Sequence, residues 1–197
     1  MSRRTWNATT LNGESLAVLI RNYGLYWSPT KVFWGYPMVE GTLLGVPASN
    51  RTVRPTDFRH QIGVYVLHQN YAPIYVGQVG SGKSTLFSRL KDHRKDYLAD
   101  RWNAFSWFGV IPVNPKSRRL RANYSIQPKL DDVLNHIEAI LIAVIEPVMN
   151  LQRGRFGKAK RYLQFVDKNV PVNMEEQVDE IRASLRKLEK ALVHGKG

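Results

Sequence analysis

The chain predicts an α+β fold, on three observations. Two apolar, β-branched and aromatic runs, GVYVL and PIYVG, flank the polar HQNYA, the pattern of an antiparallel hairpin. A further run, AFSWFGVIPV, reads as a buried strand because it is almost continuously apolar. Helical spacing occurs twice, in TLFSRLKDHRKDYL and in LDDVLNHIEAILIAVIEPVMN.

The elements follow in order. NGESLAVLIRNYG suggests a short helix near 13–23, capped by Asn12 and stopped at Gly24. VFWGYPMVEGTLLGVP and RPTDFRH are short extended pieces broken by Gly and Pro. In the hairpin, Tyr65 and Tyr75 lie ten positions apart, and period-two alternation can bring both hydroxyls to one surface. In the helix after it, Leu86, Phe87 and Leu90 set the apolar side, with Tyr97 and Leu98 further on. Arg89 and His93, four apart, share a face. NPKSRRLRANYSIQPK is a basic loop. The next helix carries Asp131 and Asp132 in its first turn, where carboxylates are favoured, and is closed by Pro147. Leu134, Ile137, Leu141, Val144 and Ile145 form its apolar stripe, and Glu138 falls inside that stripe. A lone carboxylate there is costly to desolvate unless paired, protonated or metal-bound. His136 lies well away from Glu138 on the wheel and reads as ordinary. Near the C-terminus, Val178, Ile181, Leu185, Leu188 and Leu192 make a short heptad seam, for packing on the chain's own core or for a homodimer or partner helix.

Lys and Arg number 29 against 16 Asp and Glu, giving +13 over 197 residues. Residues 83–129 hold eleven of the bases and three of the acids, so the excess is not one charged tail. Such a field favours a polyanion, most simply nucleic acid. The chain has no cysteine, which excludes disulfides and Cys-based zinc sites and fits a reducing compartment. The longest apolar run, AILIAVI, is too short to span a bilayer. A soluble cytoplasmic protein without a membrane partner is expected.

Two motifs compete for one stretch. YVGQVGSGKST contains Gly77, Gly80, Gly82, Lys83 and Ser84 in the order of a phosphate-cradling P-loop, which would make the chain a nucleotide-binding ATPase or kinase. That fold needs a parallel sheet of strand–helix–strand units, and only one good strand follows Lys83. The match is therefore kept as an alternative.

The same residues belong to a second pattern. Gly63-Val64-Tyr65, Tyr75-Val76-Gly77, the R-L-K-D-H of Arg89 and His93, the helical Glu138 and the P-V-M-N ending in Asn150 resemble the GIY-YIG endonuclease superfamily, over about residues 60–152. Both isoleucines of the family motif are valine here. The resemblance implies a small three-stranded antiparallel sheet flanked by helices. Around that core, residues 1–59 would be an N-terminal extension that contacts DNA or completes the core. Residues 60–155 would be the nuclease core, and 156–197 a basic segment with the heptad-patterned helix. The implied activity is metal-dependent hydrolysis of a DNA phosphodiester, with restriction or phage defence as the setting. Tyr65 would activate water with support from Tyr75. Arg89 would stabilise phosphoryl charge, and His93 would move a proton or grip phosphate. Glu138 would hold one Mg²⁺ or Mn²⁺, and Asn150 would orient the site. Lys83, Arg94, Arg118, Arg119, Arg121, Arg153, Arg155 and Lys158 are the candidate DNA contacts. A non-catalytic nucleic-acid-binding protein is the second alternative.

The chemistry fits these residue types. Phosphodiester cleavage builds charge on non-bridging oxygens, which a guanidinium and a cation stabilise. An unperturbed tyrosine is a poor base at neutral pH, so its surroundings must lower its pKa or let it act by hydrogen bonding.

Overall fold

A computed structural model describes residues 19–80, 84–121, 130–145 and 156–171. Residues 1–167 form one compact unit and 168–197 a second, of which only 168–171 are described.

The first unit is built on one mixed sheet. Its strands are β1 (Asn22–Trp27), β4 (Leu44–Pro47), β5 (Thr56–Asp57), β6 (Gly63–Gln69), β7 (Ala72–Val79), β8 (Ala104–Gly109) and β9 (Lys160–Gln164), in the order β5-β4-β9-β1-β8-β6-β7. Strands β1 and β9 run parallel, and the other pairs are antiparallel. A separate ribbon pairs β2 (Phe33–Tyr36) with β3 (Val39–Thr42). The helices are α1 (Leu86–Asp92) and α2 (Leu130–Ile145).

This corrects the expected small three-stranded sheet. The segment before residue 60 supplies β1, β4 and β5, and the segment after α2 supplies β9. The reason lies in β8, where Phe105 to Gly109 are all buried. A strand apolar on both faces needs a neighbour on each edge and a cover on each side. β6 fills one edge and β1 the other. The expected helix near 13–23 is corrected at its described end: Asn22 and Tyr23 are strand, and residues 13–18 lie outside the described residues.

The hairpin turns more tightly than HQNYA suggests. Asn70 and Tyr71, both at positive φ, make a two-residue turn of the kind that matches strand twist. Tyr65 pairs with Gly77 and Leu67 with Tyr75. The register then slips, so that His68 meets Pro73. A proline is tolerated there because β7 is the edge strand.

Alternation gives the sheet two apolar faces. On one, Trp27, Phe58, Tyr65, Leu67, Phe105, Trp107 and Tyr162 cluster with Leu86 and Leu90 of α1. On the other, Ile20, Val66, Phe108 and Phe156 cluster with Ala139 and Val144 of α2. Helix α1 starts where the Leu86 N–H donates to the Gln61 carbonyl at 2.9 Å. Thr85 and Ser88 close a capping box there, and His93 is the C-cap. Among the described residues no helix is long and apolar enough to cross a membrane.

Of the apolar stripe its sequence suggests, helix α2 buries Val144 and leaves the other four residues outside, because it packs on a rotated face. Its buried residues are His136, Ala139 and Val144, and Leu134, Ile137, Leu141 and Ile145 stay 55, 47, 51 and 58% exposed. Ala139 is buried in the second cluster and Ala143 packs against it.

The tightest point in the first face is Gly24. A Cβ there would lie 2.5 Å from the indole nitrogens of both Trp27 and Trp107. Trp107 is fully buried against Trp27 and Phe58, so neither ring has space to withdraw. Gly24→Ala is expected to destabilise the fold by about 1–3 kcal/mol through overpacking. Urea unfolding with an unchanged slope and a lowered midpoint is the check.

Candidate active site

Four of the sequence-predicted residues meet on the α1 face at the β6–β7 hairpin. Tyr65 is fully buried in β6, and its hydroxyl is 2.7 Å from His93 Nε2. The Tyr75 ring lies 6.1 Å from that of Tyr65 and 4.9 Å, edge-on, from the His93 imidazole. Arg89 stands one helical turn before His93, its side chain 39% exposed and 3.8 Å from the Asp92 carboxylate. The period-two and i, i+4 patterns thus bring these residues together.

The hairpin makes room for Tyr65 with a glycine. Gly77 is its direct cross-strand partner, and a Cβ on residue 77 would fall on the Tyr65 ring and hydroxyl. His93 is held on three further sides. Its backbone N–H donates to the Arg89 carbonyl at 3.1 Å, and its carbonyl accepts the Trp102 indole N–H at 3.3 Å. Its Nδ1 is 2.7 Å from Asp96 Oδ2. Asp96 is a member of this cluster that the sequence reading did not single out. The only trace of it is a carboxylate three residues after the histidine, just past the helix end.

Burial pushes the Tyr65 hydroxyl up to about 12; neighbouring Tyr75 adds to this, and the Arg89 charge works against it. At neutral pH Tyr65 is therefore a phenol rather than a phenolate. Arg89 is held more firmly charged, chiefly by Tyr65. Burial raises the Asp96 carboxyl, but the Leu98 N–H, His93 and Arg89 outweigh it and bring the group below its ordinary value.

Glu138 is not in this cluster. It sits on α2, which covers the opposite face of the sheet, and its side chain is exposed. This corrects the expectation of a carboxylate forced into an apolar face. Among the described residues Glu138 makes no hydrogen bond or ion pair. A free carboxylate in water suits one hydrated Mg²⁺ or Mn²⁺, which keeps most of its waters. It does not suit a cage, and no three His, Asp or Glu side chains converge among the described residues. Helix α2 does reach the hairpin's edge. Leu141, three residues beyond Glu138 and so on the same helix face, lines a groove of about 350 Å³ with Tyr75 and Val76.

The basic candidates divide. Arg94, Arg119, Arg121 and Lys158 are exposed, with the Arg94 guanidinium 4.7 Å over the Trp34 ring. Arg118 is half-buried beside Tyr162. Lys83, Asn150, Arg153, Arg155 and the heptad positions Val178, Ile181, Leu185, Leu188 and Leu192 lie outside the described residues. The strand entering the P-loop pattern is β7, an edge strand paired antiparallel with β6 alone, not a strand within a parallel sheet.

No protein-family model, curated protein or solved structure matches the chain.

The raised Tyr65 group has a consequence for stability. An unfolded tyrosine ionises near 10, whereas folded Tyr65 holds its proton up to about 12. Its contribution is whole below pH 10 and drains away as pH rises toward 12, because the unfolded chain releases the proton first. Phenylalanine has no such proton. Tyr65→Phe is expected to be less stable than the wild type at pH 8, by about 1–2 kcal/mol for the lost hydrogen bond to His93. The gap should narrow between pH 10 and 12. Urea midpoints across that range are the measurement, and a constant gap would contradict a buried neutral phenol.

Proposed function

We propose that the chain is a DNA phosphodiesterase of the GIY-YIG type, cutting within a strand by hydrolysis. The observation that carries this reading is the 2.7 Å hydrogen bond between the Tyr65 hydroxyl and His93 Nε2, with the Arg89 cation beside the same hydroxyl. A phenol that is neutral at pH 7 cannot deprotonate water alone. A phenol bonded to an imidazole can pass its proton on as it takes another. The charge of +13 supplies the attraction for DNA.

The step is then as follows. Water attacks phosphorus and gives a proton to the Tyr65 oxygen, while the Tyr65 hydroxyl proton moves to His93 Nε2. The bond from phosphorus to the departing nucleoside oxygen breaks, and that oxygen keeps the electron pair and takes a proton from solvent. The imidazolium later returns its proton to solvent. Arg89 faces the non-bridging oxygens, where charge grows most in the transition state. Tyr65 is closed to solvent in the free protein. Arg89, partly exposed beside that hydroxyl, is where a phosphate would meet the cluster. A divalent cation held by Glu138 would have to reach that phosphate around the β7 edge, where Leu141, one turn beyond Glu138, lines a groove with Tyr75 and Val76; from there it would add electrostatic stabilisation to the phosphoryl group.

The primary test is incubation of the purified chain with plasmid and with single-stranded DNA, with magnesium, with manganese or with EDTA. Metal-dependent cleavage is expected, and its absence under all conditions sinks the reading. Arg89→Ala should slow single-turnover cleavage at saturating DNA about a hundredfold, a loss near 3 kcal/mol of transition-state stabilisation, with a smaller change in affinity. An unchanged saturating rate would make Arg89 a binding contact only.

Glu138→Gln is expected to abolish metal-dependent cleavage and leave DNA affinity nearly intact, because it removes the ion's carboxylate without touching the basic surface. Gel-shift affinity and plasmid cleavage, measured on the same folded sample, separate the two effects.

A further inference from the structure

We infer that Asp96 is a positioning residue: it fixes the tautomer of His93 so that Nε2 is free to accept the Tyr65 proton. In its catalytic consequence this rests on the phosphodiesterase reading; the tautomer itself does not.

The inference comes from which groups can donate. An ionised carboxylate only accepts hydrogen bonds. Asp96 Oδ2 lies 2.7 Å from His93 Nδ1, so Nδ1 must carry a proton. In a neutral imidazole the other nitrogen is then an acceptor. With His93 in its neutral form, the Tyr65 hydroxyl, 2.7 Å from Nε2, is then the donor. The chain Tyr65–His93–Asp96 has one direction, set at the Asp96 end. Were Nδ1 bare, Nε2 would donate toward Tyr65 and could not take its proton.

Asp96 is built to hold this position. Its other oxygen, Oδ1, accepts the Leu98 backbone N–H at 2.8 Å, which fixes the carboxylate plane. The Trp102 indole and the Arg89 carbonyl hold the His93 backbone from other directions. When His93 becomes an imidazolium, Asp96 faces the new charge at hydrogen-bond distance. This is the job a buried carboxylate performs behind a catalytic histidine in hydrolases of other folds. The geometry here places a tyrosine where those enzymes have a serine.

The same contacts separate a positioning role from a merely structural one. Asparagine keeps an oxygen for the Leu98 N–H, so Asp96→Asn preserves the turn. Its amide can donate to Nδ1 and shift the imidazole proton to Nε2. The experiment has two arms. Nitrogen-15 NMR of histidine-labelled protein should show neutral His93 protonated at Nδ1 in the wild type and at Nε2 in Asp96→Asn. Cleavage at saturating DNA and pH 7 should fall about 10²–10⁴-fold in the variant, with KM for DNA and the thermal midpoint little changed. The loss should persist between pH 7 and pH 9, because the Tyr65 hydroxyl keeps its proton up to about 12 and needs His93 throughout that range. The charged or titratable groups facing that hydroxyl are Tyr75 from β7 and Arg89 and His93 from α1, with Asp92 paired to Arg89 and Asp96 behind His93. Asp96→Glu should restore part of the rate, and Asp96→Ala should not.

A wild-type His93 protonated at Nε2 would overturn the inference. So would a folded Asp96→Asn with an unchanged pH 7 rate. If the wild type cleaves no DNA, the phosphodiesterase reading fails, and the NMR arm still decides whether Asp96 sets the tautomer. Should Asp96→Asn fail to fold, the wild-type tautomer and the Asp96→Glu rate carry the decision.

Discussion

The site depends on a tyrosine ring crossing a strand that offers it no side chain. Tyr65 and Gly77 are direct partners in the β6–β7 pair, and the ring occupies the volume a Cβ would need. This contact aims the Tyr65 hydroxyl off the sheet and into the end of α1, where His93 waits as the helix cap. The register that allows it is set by the Asn70-Tyr71 turn and the slip at Pro73. A shift by one residue would send Tyr65 to the α2 face and leave His93 without a partner.

Closing a phenol and an imidazole inside a core has opposing effects. Burial raises the cost of charging Tyr65, which keeps the phenol neutral but makes it a weaker acid. A hydrogen-bonded chain resolves the conflict, because protons move along it without leaving a charge on the phenol. Arg89 is the partly exposed cation of the cluster, so it is where a substrate phosphate would first act. The aromatic wall made by Tyr75 and the packing of Leu90 and Trp102 cover Tyr65 and His93, which are buried, whereas Asp96 keeps an edge toward water. In such surroundings each polar contact is stronger than in water.

Local pattern carried much of this into the sequence. The hairpin, β8, both helices and the meeting of Tyr65, Tyr75, Arg89 and His93 follow from alternation and i, i+4 spacing. What was not legible was non-local. NYGLYW reads equally well as a helix end, because nothing in it shows that two tryptophans need Gly24 flat beneath them. Strand β9 carries Lys160 and Arg161 and shows little alternation; it is a strand because β1 and β4 each need a neighbour. Helix α2 has two apolar faces. Bulk favours Leu134, Ile137 and Leu141, but the face that joins the Val66, Phe108 and Phe156 cluster is the one bearing Ala139, Ala143 and Val144. Glu138 came to water with the discarded face. Asp96 was hidden because its partner is fixed by a turn after α1, not by any period.

The glycine-rich stretch shows how one motif can satisfy two patterns for unrelated reasons. In a phosphate cradle, Gly77 would free backbone N–H groups for an anion. Here Gly77 lies within a strand and is small because Tyr65 crosses it. Gly80 stands at φ 131°, a conformation that glycine adopts far more readily than other residues, where the chain leaves β7. Thr85 follows as the cap that starts α1, its side chain bonded to the Ser88 N–H. Glycine, glycine and hydroxyl thus each answer a demand of strand, turn and helix cap. The strand before them is an antiparallel edge, and the helix after them is pinned by the Gln61 carbonyl rather than by a phosphate. These described positions need no nucleotide to explain them.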